Sequence, residues 1–126
     1  MARDRRFEFA ATADPAAAAG LRIELTEWLH AVAVIGLACY EITSSVSEAF
    51  LNAVEHPIGR ADDEITVEGE ISGGEISISV RDQGRWNETV DSSRDHYGFR
   101  LMAAQMDSVE VERGAAGTVI VMRRTL

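Results

Sequence analysis

Three short runs of the chain carry residues whose types and spacing could do chemistry. In SEAFLNAVEHP, residues 47–57, Glu48 and Asn52 stand four apart. On a helix that spacing puts them on one face, with His56 a further turn along. A carboxamide oxygen is a suitable hard ligand for Mg²⁺, which takes few protein ligands and keeps several waters and phosphate oxygens. A nearby carboxylate can accept a proton from an attacking hydroxyl or water. In VRDQG, residues 80–84, Asp82 offers acceptors only, so it can take the exocyclic N–H of adenine, and Gly84 allows a ligand to approach the backbone. In RDHYGFRLM, residues 94–102, a loop is expected to become a helix near Gly98. The N–H groups following Gly98 would then form an anion site suited to phosphate, with Arg94 and Arg100 supplying positive charge. Gly117-Thr118 opens the last apolar run. Each element alone also fits a solvated helix face or an ordinary turn; their order and spacing together are far less common.

The elements that must position these residues are legible from periodicity. Arg6 to Ala10 alternates and reads as a first strand. Asp14 is a candidate N-cap with Pro15 at the first helical position, and Leu21, Leu25, Trp28, Leu29 and Val32 follow at helical spacing. A second helix is expected from about Val34 to His56, stopped by Pro57, with Ile35, Cys39, Ile42, Val46, Ala49 and Ala53 facing a core. From Ile65 to Asp82 the period becomes two, broken at Ser72-Gly73-Gly74, which reads as a hairpin turn. A third helix is expected over about 98–106. A last hairpin follows, with Val109 and Val111 on one strand, a turn over 113–117 and a strand from Thr118 to Met122. Helices on one face of a mixed, mostly antiparallel sheet make an α+β two-layer sandwich.

Composition narrows the classes of function. The 126 residues suit one domain, 1–126, and the net charge of −9 disfavours nucleic acid and anionic membranes as direct partners. No apolar run is long enough to cross a bilayer and the N-terminus lacks a signal-peptide pattern, so a cytoplasmic location is expected. The single cysteine, Cys39, excludes an intrachain disulfide and reads as a core residue. All twelve basic residues are arginine. A phosphate loop ending in Gly-Lys-Ser/Thr is therefore impossible, and a nucleotide would have to be held another way.

Glu-x-x-x-Asn-Ala, Asp-x-Gly, Gly-Phe-x-Leu-Met and Gly-Thr, in that order, resemble the ATPase superfamily shared by DNA gyrase, mismatch-repair proteins and histidine kinases. More closely, SEAFLNAVEHP, VRDQGRW, YGFRLMAAQMDSVEVERG and GTV resemble the anti-sigma-factor serine kinases of bacterial stress and sporulation control. The resemblance spans Arg6 to Arg124. It implies the Bergerat ATP-binding fold, with ATP and Mg²⁺ as ligands. Glu48 matches the family's general base, Asn52 its Mg²⁺ ligand and Asp82 its adenine-reading carboxylate. Gly84 matches the glycine beside that carboxylate, Arg94 an arginine near the phosphates, Gly98 the second phosphate-loop glycine, and Thr118 a residue near adenine. It further implies a homodimer that binds a sigma factor and phosphorylates a serine of a STAS-domain antagonist. His96 stands where the family's first phosphate-loop glycine falls, with Tyr97 beside it, and Trp86 replaces a frequent glycine. A positive φ at residue 96 would strain a histidine, so a binding module with little or no phosphotransfer is the alternative.

Overall fold

The computed structural model describes residues 5–55, 64–82, 93–114 and 117–126, with the side chains of 93–97 outside the description. The elements are β1 (Arg6–Thr12), α1 (Ala17–Ala31), α2 (Gly36–Glu55), β2 (Glu64–Ser72), β3 (Glu75–Asp82), α3 (Ser93–Gln105), β4 (Ser108–Gly114) and β5 (Gly117–Thr125). The strands form one sheet in the order β1-β2-β3-β5-β4, and every neighbouring pair is antiparallel. The expected α+β sandwich is present, with antiparallel pairing throughout the described strands rather than a mixed sheet.

Alternation along the strands decides which face is buried. Phe7, Ile65, Val67, Ile71, Ile76, Ile78, Val80, Ile120 and Met122 point toward the helices and are almost wholly buried. Leu21, Leu25 and Leu29 of α1, and Ile42, Val46, Ala49 and Phe50 of α2, meet them at zero exposure. Cys39 is buried in this core. Gly69 of β2 leaves room for an aromatic neighbour: Trp28 Cη2 lies 3.4 Å from where its Cβ would stand. The Trp28 ring packs beside Phe7 with centroids 5.5 Å apart. Gly73 and Gly74 take φ of 59° and 77° in the β2–β3 turn, the positive angles a tight two-residue hairpin needs.

The end of α3 is tied down by polar contacts. The Ser45 hydroxyl donates to Gln105 Oε1 at 2.8 Å, and Arg124 Nη1 donates to the Gln105 carbonyl at 2.9 Å. The same guanidinium pairs with Glu41 at 3.2 Å, so α2, α3 and β5 are joined at one point. Just beyond, Asp107 Oδ2 accepts the Thr125 backbone N–H at 2.7 Å. That bond holds the Asp107 carboxyl below its ordinary range.

Boundaries moved for local reasons. Helix α1 begins at Ala17, not Pro15, and its N-cap Ala16 has no side-chain cap bond. Asp14 instead accepts the Ala16 N–H through Oδ1 at 2.9 Å, making a turn that feeds the helix. Ile35 is 66% exposed, contrary to its expected place in the core stripe. The cause is the closure of α1, where the Val34 N–H donates to Leu29 O at 2.8 Å and the Ala33 N–H to His30 O at 3.0 Å. This double closure tucks Val34 into the core, leaves Ile35 outside, and delays α2 to Gly36. Helix α2 ends at Glu55; the expected stop at Pro57 lies outside the described residues. Helix α3 begins at Ser93, five residues before the expected start at Gly98, and β4 continues through Arg113 and Gly114 into what was expected to be a turn.

The closing turn of α1 places Ala33 at φ 65°, the left-handed region where glycine is preferred. Ala33→Gly is expected to stabilise the fold by about 0.5–1 kcal/mol, raising the thermal midpoint by a few degrees. An unchanged or lower midpoint would contradict this account of the turn.

Candidate functional site

Two groups of polar residues interrupt the core, and both border α2, which packs on α3 and on β3. The first is on α2 itself. Ala49 and Ala53 keep that helix against the core, and their neighbours Glu48 and Asn52 come one turn apart toward α3. Asn52 is 2% exposed, while Glu48 is half-buried. Gly98 of α3 lies directly against both. A Cβ at Gly98 would stand 2.7 Å from Glu48 Oε1, 3.0 Å from Asn52 Nδ2 and 3.1 Å from Glu48 Cγ. A methyl at that position would require the Glu48 side chain to shift, so Gly98 lets the α3 backbone settle on the carboxylate and carboxamide.

The second group lies on the sheet. Asp82 ends β3 and is in register with Thr118 at the start of β5. Both continue the helix-facing series, Ile78, Val80, Asp82 on one strand and Met122, Ile120, Thr118 on the other. The side of the sheet that is apolar beneath the helices thus turns polar at its end. Thr118 is 1% exposed.

Among the described residues, three buried side-chain atoms lack a hydrogen-bond partner: Thr43 Oγ1, Asn52 Nδ2 and Thr118 Oγ1. A buried unsatisfied polar group costs about 1–3 kcal/mol. Two of these three atoms belong to residues that the sequence pattern had singled out. A carboxamide can turn by 180° with little change of shape, presenting Oδ1 where Nδ2 stands. Asn52 could thereby hold a hard cation, and Thr118 a hydrogen-bonding ligand group. Buried polar atoms in these places fit a metal-bound nucleotide better than they fit a sealed core.

The structure brings Glu48, Asn52 and Gly98 together on one side and Asp82 and Thr118 together on the other. Gly84 and Trp86 lie outside the described residues. Arg94, His96 and Tyr97 lie on the first turns of α3, with their side chains outside the description. Two expectations are corrected here. Gly98 lies within α3 and not at its N-terminus, so its own position offers close packing in place of free N–H groups. Residue 96 is helical, so His96 carries none of the left-handed strain expected of it. The physical reason is that one glycine costs a helix only about 1 kcal/mol, too little to stop it when packing favours continuation. Sequence reasoning missed Arg113, which was placed in a turn but pairs in register with Thr118. The alternation of Val109 and Val111 was the signal that could have found it.

Residues 11–124 match the family described as histidine kinase-like ATPase domain. The chain belongs to that family. Within it, the chain is 33% identical over 102 residues to an anti-sigma F factor of Clostridium perfringens, covering 68% of this chain and 71% of the relative. It is 31% identical over 97 residues to an anti-sigma F factor of a Thermoanaerobacter species, covering 67% and 68%. A solved Mycobacterium tuberculosis structure of RsbU and RsbW domains aligns with a TM-score of 0.83 at 25% identity, over 99% of this chain. This ATPase domain spans only 33% of that longer chain. The histidine kinase domain of a blue-light activated histidine kinase from Erythrobacter litoralis shares the fold, with a TM-score of 0.62 at 21% identity over 84% of this chain and 61% of the other. The chain is an anti-sigma-factor-like, RsbW-type member of the kinase-type ATPases, a family whose domain implies nucleotide binding. No helix among the described residues is long and apolar enough to cross a membrane.

Gly98→Ala tests the close approach of α3. In an open helix the change gains about 1 kcal/mol, whereas here the new methyl must push Glu48 aside. The variant is expected to melt within a few degrees of the parent, with the Glu48 carboxylate displaced in its crystal structure. Glu48 and Asn52 unmoved in that crystal structure would contradict the packing.

Proposed function

We propose that the chain is a Mg-ATP-binding anti-sigma factor that phosphorylates a serine on a STAS-domain antagonist and works as a homodimer. The observation that carries the nucleotide half is Asn52, buried at 2% with an unpartnered Nδ2, on the face that Glu48 shares and Gly98 covers. The sigma-factor half rests on the anti-sigma F factors to which the chain is similar. Serine, the STAS antagonist and the dimer rest on the sequence resemblance.

Each residue has a role in this reading. Asn52 holds Mg²⁺ through its carboxamide oxygen, and Mg²⁺ when bound would neutralise phosphate charge. Asp82 accepts the exocyclic N–H of adenine, with Gly84 beside it, and Thr118 gives its buried hydroxyl to the base region. Arg94 lies near the phosphates, and Gly98 keeps α3 close to Glu48. Glu48 accepts the proton of the serine hydroxyl as its oxygen takes the γ-phosphoryl group and ADP departs. The edge strand β1 and helix α1 are the surface proposed for the dimer. A second reading, a binding module without turnover, is favoured by His96 and Tyr97, which stand on an α3 that is already helical from Ser93.

Substitution separates the roles. Glu48→Gln is expected to keep Mg-ATP affinity nearly intact and to lower phosphotransfer by about 10²–10⁴-fold. Asn52→Ala is expected to weaken Mg-ATP binding itself. Calorimetry and single-turnover phosphotransfer to a STAS protein check both, and equal losses in the two variants would contradict this division. A parent that binds a sigma factor or STAS protein without phosphotransfer, unrescued by His96→Gly, would favour the binding module. Light scattering reporting a monomer with and without nucleotide would remove the dimer.

A further inference from the structure

Arg113 occupies a position that the sequence reading treated as turn. In the structure β4 runs on to Gly114, with Arg113 opposite Thr118 and Gly114 opposite Gly117. Val109 and Val111 of β4 pack against the core, so strand alternation places Arg113 next on the helix-facing side. Two successive rows then cross three strands. The inner row is Val111, Ile120 and Val80; the next is Arg113, Thr118 and Asp82. Two residues along each strand, the same face changes from three aliphatic groups to a guanidinium, a hydroxyl and a carboxylate.

The middle member of this polar row is the buried Thr118, whose Oγ1 has no partner. The row therefore points to a ligand that brings its own hydrogen-bonding edge. Its ends are two strand spacings apart, about 10 Å, which leaves room for a flat heterocycle between carboxylate and guanidinium. A guanidinium is planar, weakly hydrated and attracted to aromatic faces, so it suits such a neighbour better than an ammonium would. Arg113 itself is exposed. Its charge also works against the field of a chain with net charge −9, which otherwise opposes an anionic nucleotide.

We propose that Arg113 is a base-contacting residue of the nucleotide site, its guanidinium lying against the face of the purine whose edge Asp82 and Thr118 receive. The assignment rests on the nucleotide-binding reading given above. It adds a contact from β4, a strand to which that reading gave no site residue.

The test is calorimetric titration of the full chain with Mg-ATP, Mg-ADP and adenosine. Arg113→Ala is expected to weaken all three by a similar factor, about 3- to 30-fold, because the base is common to them. Arg113→Lys should recover only part of the loss. Glu112→Gln, on the neighbouring residue of the opposite face, should bind all three like the parent. Equal affinities in parent and Arg113→Ala would overturn the assignment while leaving nucleotide binding intact. A loss that grows with phosphate number would also overturn it, by placing the guanidinium on the phosphates. A parent that binds none of the three would overturn the nucleotide reading and this contact with it.

Discussion

The packing of α3 against α2 depends on a position without a side chain. A Cβ at Gly98 would fall 2.7 Å from the Glu48 carboxylate and 3.0 Å from the buried Asn52 carboxamide on the other helix. Any Cβ would have to displace the groups proposed to do the chemistry. The far end of α3 is held independently, by Ser45 and Arg124 acting on Gln105, with Arg124 paired in turn to Glu41. Close approach at one end and a polar clasp at the other fix how α3 sits over α2. Glu48 and Asn52 are thereby kept where a helix backbone, not solvent, forms one wall of their surroundings.

The sheet contributes through its period of two. Three aligned strands carry aliphatic residues under the helices and then, two residues along each, Asp82, Thr118 and Arg113. Register does the positioning: a one-residue slip of β5 would turn Thr118 to the outer face and leave Asp82 beside a different neighbour. The outer face is of another character. Glu8 and Glu68 stand directly opposite each other there, and Arg6 faces Glu70. Acidic side chains thus gather on the face turned away from the helices, while Asp82, Thr118 and Arg113 continue the helix-facing series.

Much of this was legible in the sequence. The alternation from Ile65 to Val80, the glycine pair at 73 and 74, and the spacing of Leu21, Leu25 and Leu29 each have one satisfactory structural answer, and the fold followed from them. Glu48 and Asn52 could be placed on one helix face from their spacing alone. What could not be read was decided by long-range packing. Ile35 fits the helical stripe, but the closure of α1 chose Val34 for the core. Gly98 looked like a helix start because glycine often is; its role became visible only with Glu48 and Asn52 across from it. Arg113 sits in a glycine- and alanine-rich stretch that reads as a turn, and only the ladder with β5 shows it as a strand residue.

The central claim is that the buried polar atoms of Asn52 and Thr118 are reserved for one Mg-bound nucleotide. A titration of ¹⁵N-labelled protein with Mg-ATP, followed by NMR, tests it most directly. The account predicts that the Asn52 side-chain carboxamide and the backbone amides of Gly98, Asp82 and Thr118 shift together and saturate at one equivalent, with the Asn52 response lost when Mg²⁺ is withheld. Resonances of Asn52 and Thr118 that stay fixed while others move, or that respond identically with and without Mg²⁺, would contradict it.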